Sequence, residues 1–184
     1  MSERAVGEQA LRYGCLFCRV GAEESLVQTL TERLEGVEAV RLVKKRRRFS
    51  AGKVAEETVA LLPGYVFVRA PEDYPLFFKA RLSSVYRVLS DTEGNWQLHG
   101  ADEEFARRVF AEQGVIGISQ AYFDEGDRIR IQSGFLQGYE GNILRVNKRR
   151  GTAQVCLTLD QKEMLVWLGY ELIRPQGGGD TLPD

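Results

Sequence analysis

Histidine is almost absent from this chain of 184 residues: His99 stands alone. A serine or cysteine nucleophile would need it as its base, and it sits beside Gly100 in a turn-like setting with no partner in sight. Cysteine is scarce and odd in number: Cys15, Cys18 and Cys156. Three thiols make no disulfide framework and fit a reducing cytoplasm. Cys15 and Cys18 spell C-x-x-C. On a strand, however, positions i and i+3 point to opposite faces and cannot share a metal. Cys156 alone does not complete a zinc site, so all three thiols are expected to be buried and inert. Gly134, Gly138 and Gly141 are not followed by the Gly-Lys-Ser/Thr of a phosphate cradle, and read as tight turns. No carboxylate pair stands out. We therefore expect no active site, no metal, no cofactor and no enzymatic activity. No run approaches the ~20 apolar residues of a membrane span. The N-terminus lacks the basic start and apolar stretch of a secretory signal. A cytoplasmic protein with no membrane partner is expected.

What the chain does have is core-forming material: 43% hydrophobic and 10% aromatic residues, enough for one mid-sized domain or two small ones. Net charge is only −1, but its distribution is uneven. Arg41, Lys44, Lys45, Arg46, Arg47, Arg48 and Lys53 fall in one stretch without an acid, and Arg145, Lys148, Arg149 and Arg150 form a second acid-free cluster. Local patches of this kind, rather than the total, decide whether a phosphate backbone is attracted.

In chain order, 1–11 reads as a loose leader. Arg12–Arg19 reads as a strand with Tyr13, Cys15 and Phe17 on one face. Ala22–Leu34 reads as a helix, with Leu26, Leu30 and Leu34 recurring every four residues, Glu23 and Glu24 in the first turn, and Gly36 as its stop. Val37–Val43 is a second strand. The basic run 44–48 and Ser50-Ala51-Gly52-Lys53 are expected to form a loop or hairpin tip. Thr58–Leu61 and Gly64–Arg69 are extended segments flanking Pro63. Pro75 opens a helix to about Leu82. Val85–Leu89 is a strand, 91–95 a turn, and Asp102 to about Glu112 a helix with Phe105 and Val109 one turn apart. This order suggests an α+β fold, a mixed sandwich with a largely antiparallel sheet. Gln113–Ala121 reads as a linker. After it come short strands and glycine turns: Arg128–Gln132, Tyr139–Val146, Thr152–Leu159, Glu163–Leu168 and a piece near Leu172. Five short strands in so few residues suggest a small β-barrel. Residues 176–184 read as a tail.

Leu61-Leu62-Pro63-Gly64-Tyr65-Val66-Phe67-Val68 is the most informative stretch. Pro63 lets a strand begin but rarely pass through, and Gly64 allows a φ that other residues resist. Tyr65 and Phe67 then share one face, Val66 and Val68 the other. The aromatics are either core or offered to a partner. This stretch resembles the Pro-Gly-Tyr strand of the NusG family of transcription elongation factors, and 126–155 (GDRIRIQSGFLQGYEGNILRVNKRRGTAQV) resembles that family's KOW domain. The resemblance covers roughly 12–174.

It implies an NGN domain over 12–112, a linker over 113–121 and an SH3-like KOW barrel over 122–176, acting as a monomer. It implies that Phe17, Leu62, Pro63, Gly64, Tyr65 and Phe67 form or edge an apolar depression for RNA polymerase, namely the clamp helices of the largest subunit. It places Lys44, Lys45, Arg46, Arg47 and Arg48 near DNA at the transcription bubble, where the alternative is a solvated loop. Arg145, Lys148, Arg149 and Arg150, with Tyr139 and Gln137, are either a charged turn or an edge for a nascent RNA hairpin. Leu62, Phe135 and the Arg12-Tyr13 start depart from the general factor. The passage from Gly138 to Val155 together with Trp167–Ile173 looks most like LoaP-type antiterminators. The other readings are a general factor working through KOW–protein contacts and a ribosome-associated RNA-binding protein.

Overall fold

The computed structural model describes residues 10–76, 82–90 and 93–174. The chain divides into two units, Met1–Ile116 with Thr158–Met164, and Gly117–Leu157 with Leu165–Asp184.

The first unit begins with β1 (Leu11–Cys18), α1 (Glu23–Arg33), β2 (Glu38–Arg41), β3 (Val43–Ser50), β4 (Lys53–Ala60), β5 (Tyr65–Pro71) and β6 (Val85–Val88). It continues with α2 (Gly100–Ala111) and the two-residue β7 (Val115–Ile116). Four strands form a sheet in the order β2-β5-β1-β6. Its centre is the antiparallel pair β1–β5, running from Leu11 opposite Pro71 to Phe17 opposite Tyr65. Both faces of this pair are covered. On one, Leu26 and Leu30 of α1 join Leu16, Cys18, Val66, Val68 and Trp96 in a buried cluster. Each such leucine contributes roughly 1.5–3 kcal/mol through burial. On the other, Phe67 meets Phe105 of α2 edge-on at 5.6 Å and Tyr13 meets Phe110 at 5.5 Å. Two-sided cover explains why Tyr65–Ala70 reads as nearly continuous apolar sequence.

The basic run is not a loop. Lys44–Arg48 lies within β3, which pairs residue by residue with β4 from Val43 opposite Ala60 to Ser50 opposite Lys53. Only Ala51 and Gly52, both at positive φ, make the tip. Most of β4 is exposed, so this hairpin stands in water and lacks the apolar alternation that announces a strand.

The expected linker is also structured. Gly114, in the left-handed region at φ +76, lies so near Arg41 O that an added Cβ would sit 2.4 Å away. Val43 N donates to Gly114 O at 2.9 Å, and β7 then runs parallel to β3. Ser119–Phe123 forms β8, a strand of the second unit.

That unit continues with β9 (Ile129–Ser133), a 3-10 turn at Glu140–Asn142, β10 (Ile143–Asn147), β11 (Thr152–Leu159) and β12 (Lys162–Leu172). The sheet order is β10-β11-β12-β8-β9, with β12 and β8 parallel. The expected break between Leu168 and Leu172 is absent; one strand spans both. Alternation along β11 turns Ala153, Val155 and Leu157 inward, where Val166, Leu168 and Tyr170 of β12 are also buried. The expected helix after Pro75 falls mostly on 77–81, outside the described residues, as do most of the leader, Asp91 and Thr92 of the expected turn, and the expected tail.

Candidate functional site

Leu62-Pro63-Gly64-Tyr65 is a tight turn in which Tyr65 N donates to Leu62 O at 3.2 Å. Proline at its second position and Gly64 at φ +86 in its third match a type II turn. A Cβ on Gly64 would lie 2.9 Å from the Phe17 ring and 3.1 Å from Cys18 O, so only glycine fits. Gly64 O accepts from Cys18 N at 2.7 Å, tying the turn to the end of β1.

A second anchor comes from α1. Glu23 accepts from Gly64 N through Oε1 at 2.6 Å and from Gly21 N through Oε2 at 2.8 Å. Burial alone would push this carboxyl up, but the backbone N–H donors outweigh it and hold the group below its usual value. Sequence reasoning saw Glu23 only as a first-turn acid.

Held by this turn, Tyr65 packs against Phe17 with centroids 5.2 Å apart, and Phe17 against Tyr86 of β6 at 5.9 Å. Phe17 and Tyr65 are half-buried, while Tyr86 is 63% exposed. Pro63 is exposed beside them. Two expected members do not reach this surface. Phe67 is 0% exposed, because mid-strand it lies under Phe105 of α2, and Leu62 is 5% exposed, its side chain enclosed at the turn's start. Tyr86 takes part instead, and its only signal in the sequence was an aromatic on a short predicted strand.

On β3 the cations are partly answered from β4. Arg46 stands opposite Glu57 and forms an ion pair with it, and Arg47 stands opposite Glu56. Lys45 and Arg48 stand opposite Thr58 and Ala55. Burial, and after it the neighbouring Arg46, pushes the Lys44 ammonium below its ordinary value.

The second cluster lies on the β10–β11 hairpin. Arg150 N donates to Asn147 Oδ1 at 3.0 Å, shaping the turn, and Arg145, Arg149 and Arg150 are exposed. Lys148 pairs with Asp127 and stands 4.3 Å over the Phe123 ring, so its charge is already engaged on the barrel. Tyr139 is half-buried and stacks on the buried Phe135 at 5.5 Å; Gln137 is exposed.

Two of the three thiols are buried as expected; the third, Cys156, is partly open because it takes an outward position on β11. Cys15 and Cys18 are both fully buried, Cys18 in the cluster under α1 and Cys15 opposite Phe67 on β5. Burial pushes the Cys15 thiol well up, which keeps it unreactive. Among the described residues, no group of three or more His, Cys, Asp or Glu is placed to hold a metal. No helix among them is long and apolar enough to cross a membrane.

This architecture is an α+β unit with a mainly antiparallel sheet, followed by a small all-β unit. The solved structure of Thermotoga maritima NusG, described as showing a domain interaction, shares it with a TM-score of 0.53 and 19% identity, covering 87% of this chain and 94% of that one. In sequence, the chain is similar to the transcription termination/antitermination protein NusG of Thermus thermophilus, 25% identical over an alignment of 128 residues that covers 61% of this chain. The alignment spans 66% of that relative, just under two thirds of its length. No family model matches the chain.

Proposed function

We propose that this chain is a NusG-type transcription elongation factor of the specialised, antiterminating kind. In this reading the first unit binds RNA polymerase at the clamp helices of the largest subunit, and the second contacts a hairpin in the nascent RNA. The protein works in the cytoplasm as a monomer, without catalysing a reaction. The observation that carries this is the partly exposed aromatic group Phe17–Tyr65–Tyr86, held open at the edge of a covered sheet by the Pro63-Gly64 turn. Exposed aromatics on a rigid support are what a docking helix needs. The specialised reading rests on Leu62, Phe135 and the Arg12-Tyr13 start, where the chain departs from the general factor. The cationic β10–β11 hairpin supports the RNA contact, and the β3–β4 hairpin supports one with DNA near the bubble.

The test is capture of core RNA polymerase. Tyr65→Ala and Phe17→Ala, checked for folding by circular dichroism, should each weaken capture by about 2 kcal/mol if the ring is an anchor. Normal capture by both folded variants would show the surface to be wrong. For the RNA arm, Arg149→Ala with Arg150→Ala, the exposed cations of the hairpin turn, should lower affinity for the leader hairpin while polymerase capture survives.

A further inference from the structure

The outer face of β10, β11 and β12 carries apolar residues that no core accounts for. Leu144 is 57% exposed, Leu165 57% and Trp167 37%. Their placement follows from register. Asp160 and Gln161, both at positive φ, make a two-residue turn between β11 and β12, and Tyr170 N donates to Gly151 O at 2.8 Å. Gln154 therefore stands opposite Trp167, and Cys156 opposite Leu165. On the other side Gln154 pairs with Arg145, after a register shift that leaves Leu144 as an extra residue in β10. Arg145, Gln154 and Trp167 thus form one row across three strands, with Leu144 and Leu165 flanking it.

We propose that this row is a stacking platform for unpaired RNA bases. The inference rests on the RNA-binding reading of the second unit and assigns the residues that would read single-stranded RNA. Trp167 offers a flat ring on which any base can stack, Arg145 a guanidinium plane, and Gln154 a donor and an acceptor for a base edge. The occupant follows from charge. The β10 side of the platform runs into the exposed Arg149 and Arg150 at the hairpin turn, whereas Glu163 and Glu171 stand on the outer face of β12. A phosphate chain is drawn along β10 and kept off β12, which leaves the bases over the row.

The test titrates the full chain with single-stranded oligo(A), and with the same strand annealed to oligo(U), at two salt concentrations. Single strand should quench tryptophan emission and the duplex should not; Trp167→Phe should lose the quenching yet keep most of the affinity. Trp167→Ala should bind oligo(A) about tenfold more weakly, the loss of one stacked base, with an unchanged salt slope. If oligo(A) binds with a clear salt slope but Trp167→Ala binds equally well, the platform is wrong and the RNA reading stands. If no RNA binds at either salt, both fall. If Trp167→Ala impairs only polymerase capture, the patch is a protein-docking surface and the inference is overturned.

Discussion

A single carboxylate, Glu23, holds two separate turns, and its chemistry sets a pH dependence. Folding lowers its pKa, so the ionised form is favoured in the folded chain. The stabilisation is then present above the usual glutamate value, about 4.3, and is lost as pH falls through the lower folded value. Glu23→Gln should cost about 1–2 kcal/mol at neutral pH in urea denaturation, the scale of a charge-assisted hydrogen bond. As pH falls below the lowered folded value the variant and the parent should converge; a constant gap would show that the carboxylate charge plays no part. This clamp was illegible in the sequence for a plain reason. Glu23 and Gly64 are 41 residues apart, and no spacing rule links them. The Pro63-Gly64 turn was legible, because proline and glycine state their φ preferences locally.

At the scale of elements, legibility followed burial. Thr152–Leu159 was read with its observed bounds, since its inward and outward residues alternate cleanly. The two helices placed by leucine and phenylalanine spacing lie within two residues of their observed ends. The β3–β4 hairpin failed because both its faces meet water, so five consecutive cations could lie in a strand without any periodic mark. Pairing changes what those cations can do. Arg46 already faces Glu57, while Lys45 and Arg48 face uncharged residues. Lys45→Ala with Arg48→Ala should therefore lower non-specific DNA affinity and flatten its salt dependence by about one unit of slope per contact. Arg46→Ala should flatten it less, at a stability cost below about 1 kcal/mol for losing an exposed ion pair. A loss from Arg46→Ala as large per contact as that from Lys45 and Arg48 would mean that Glu57 does not screen Arg46.

For the whole molecule, the change of texture after Gln113 marks two units, but β8 places the boundary differently from the glycine and serine signals. Ser119 is 1% exposed and its Oγ accepts from Leu136 N at 3.1 Å, so it belongs to the second unit's interior. Ala121 is fully buried, and β8 lies between β12 and β9. A fragment of 117–176 should melt cooperatively by circular dichroism, whereas one of 122–176, missing three residues of that strand, should not. Cooperative melting of both would make the start of β8 dispensable. The distribution of sulfur has a practical consequence as well. With Cys15 and Cys18 sealed in the first unit and Cys156 partly open on the outward side of β11, a thiol-directed dye has one ready address, beside Leu165 on the face where RNA is proposed to lie, and the unaltered chain carries its own attachment point for a reporter.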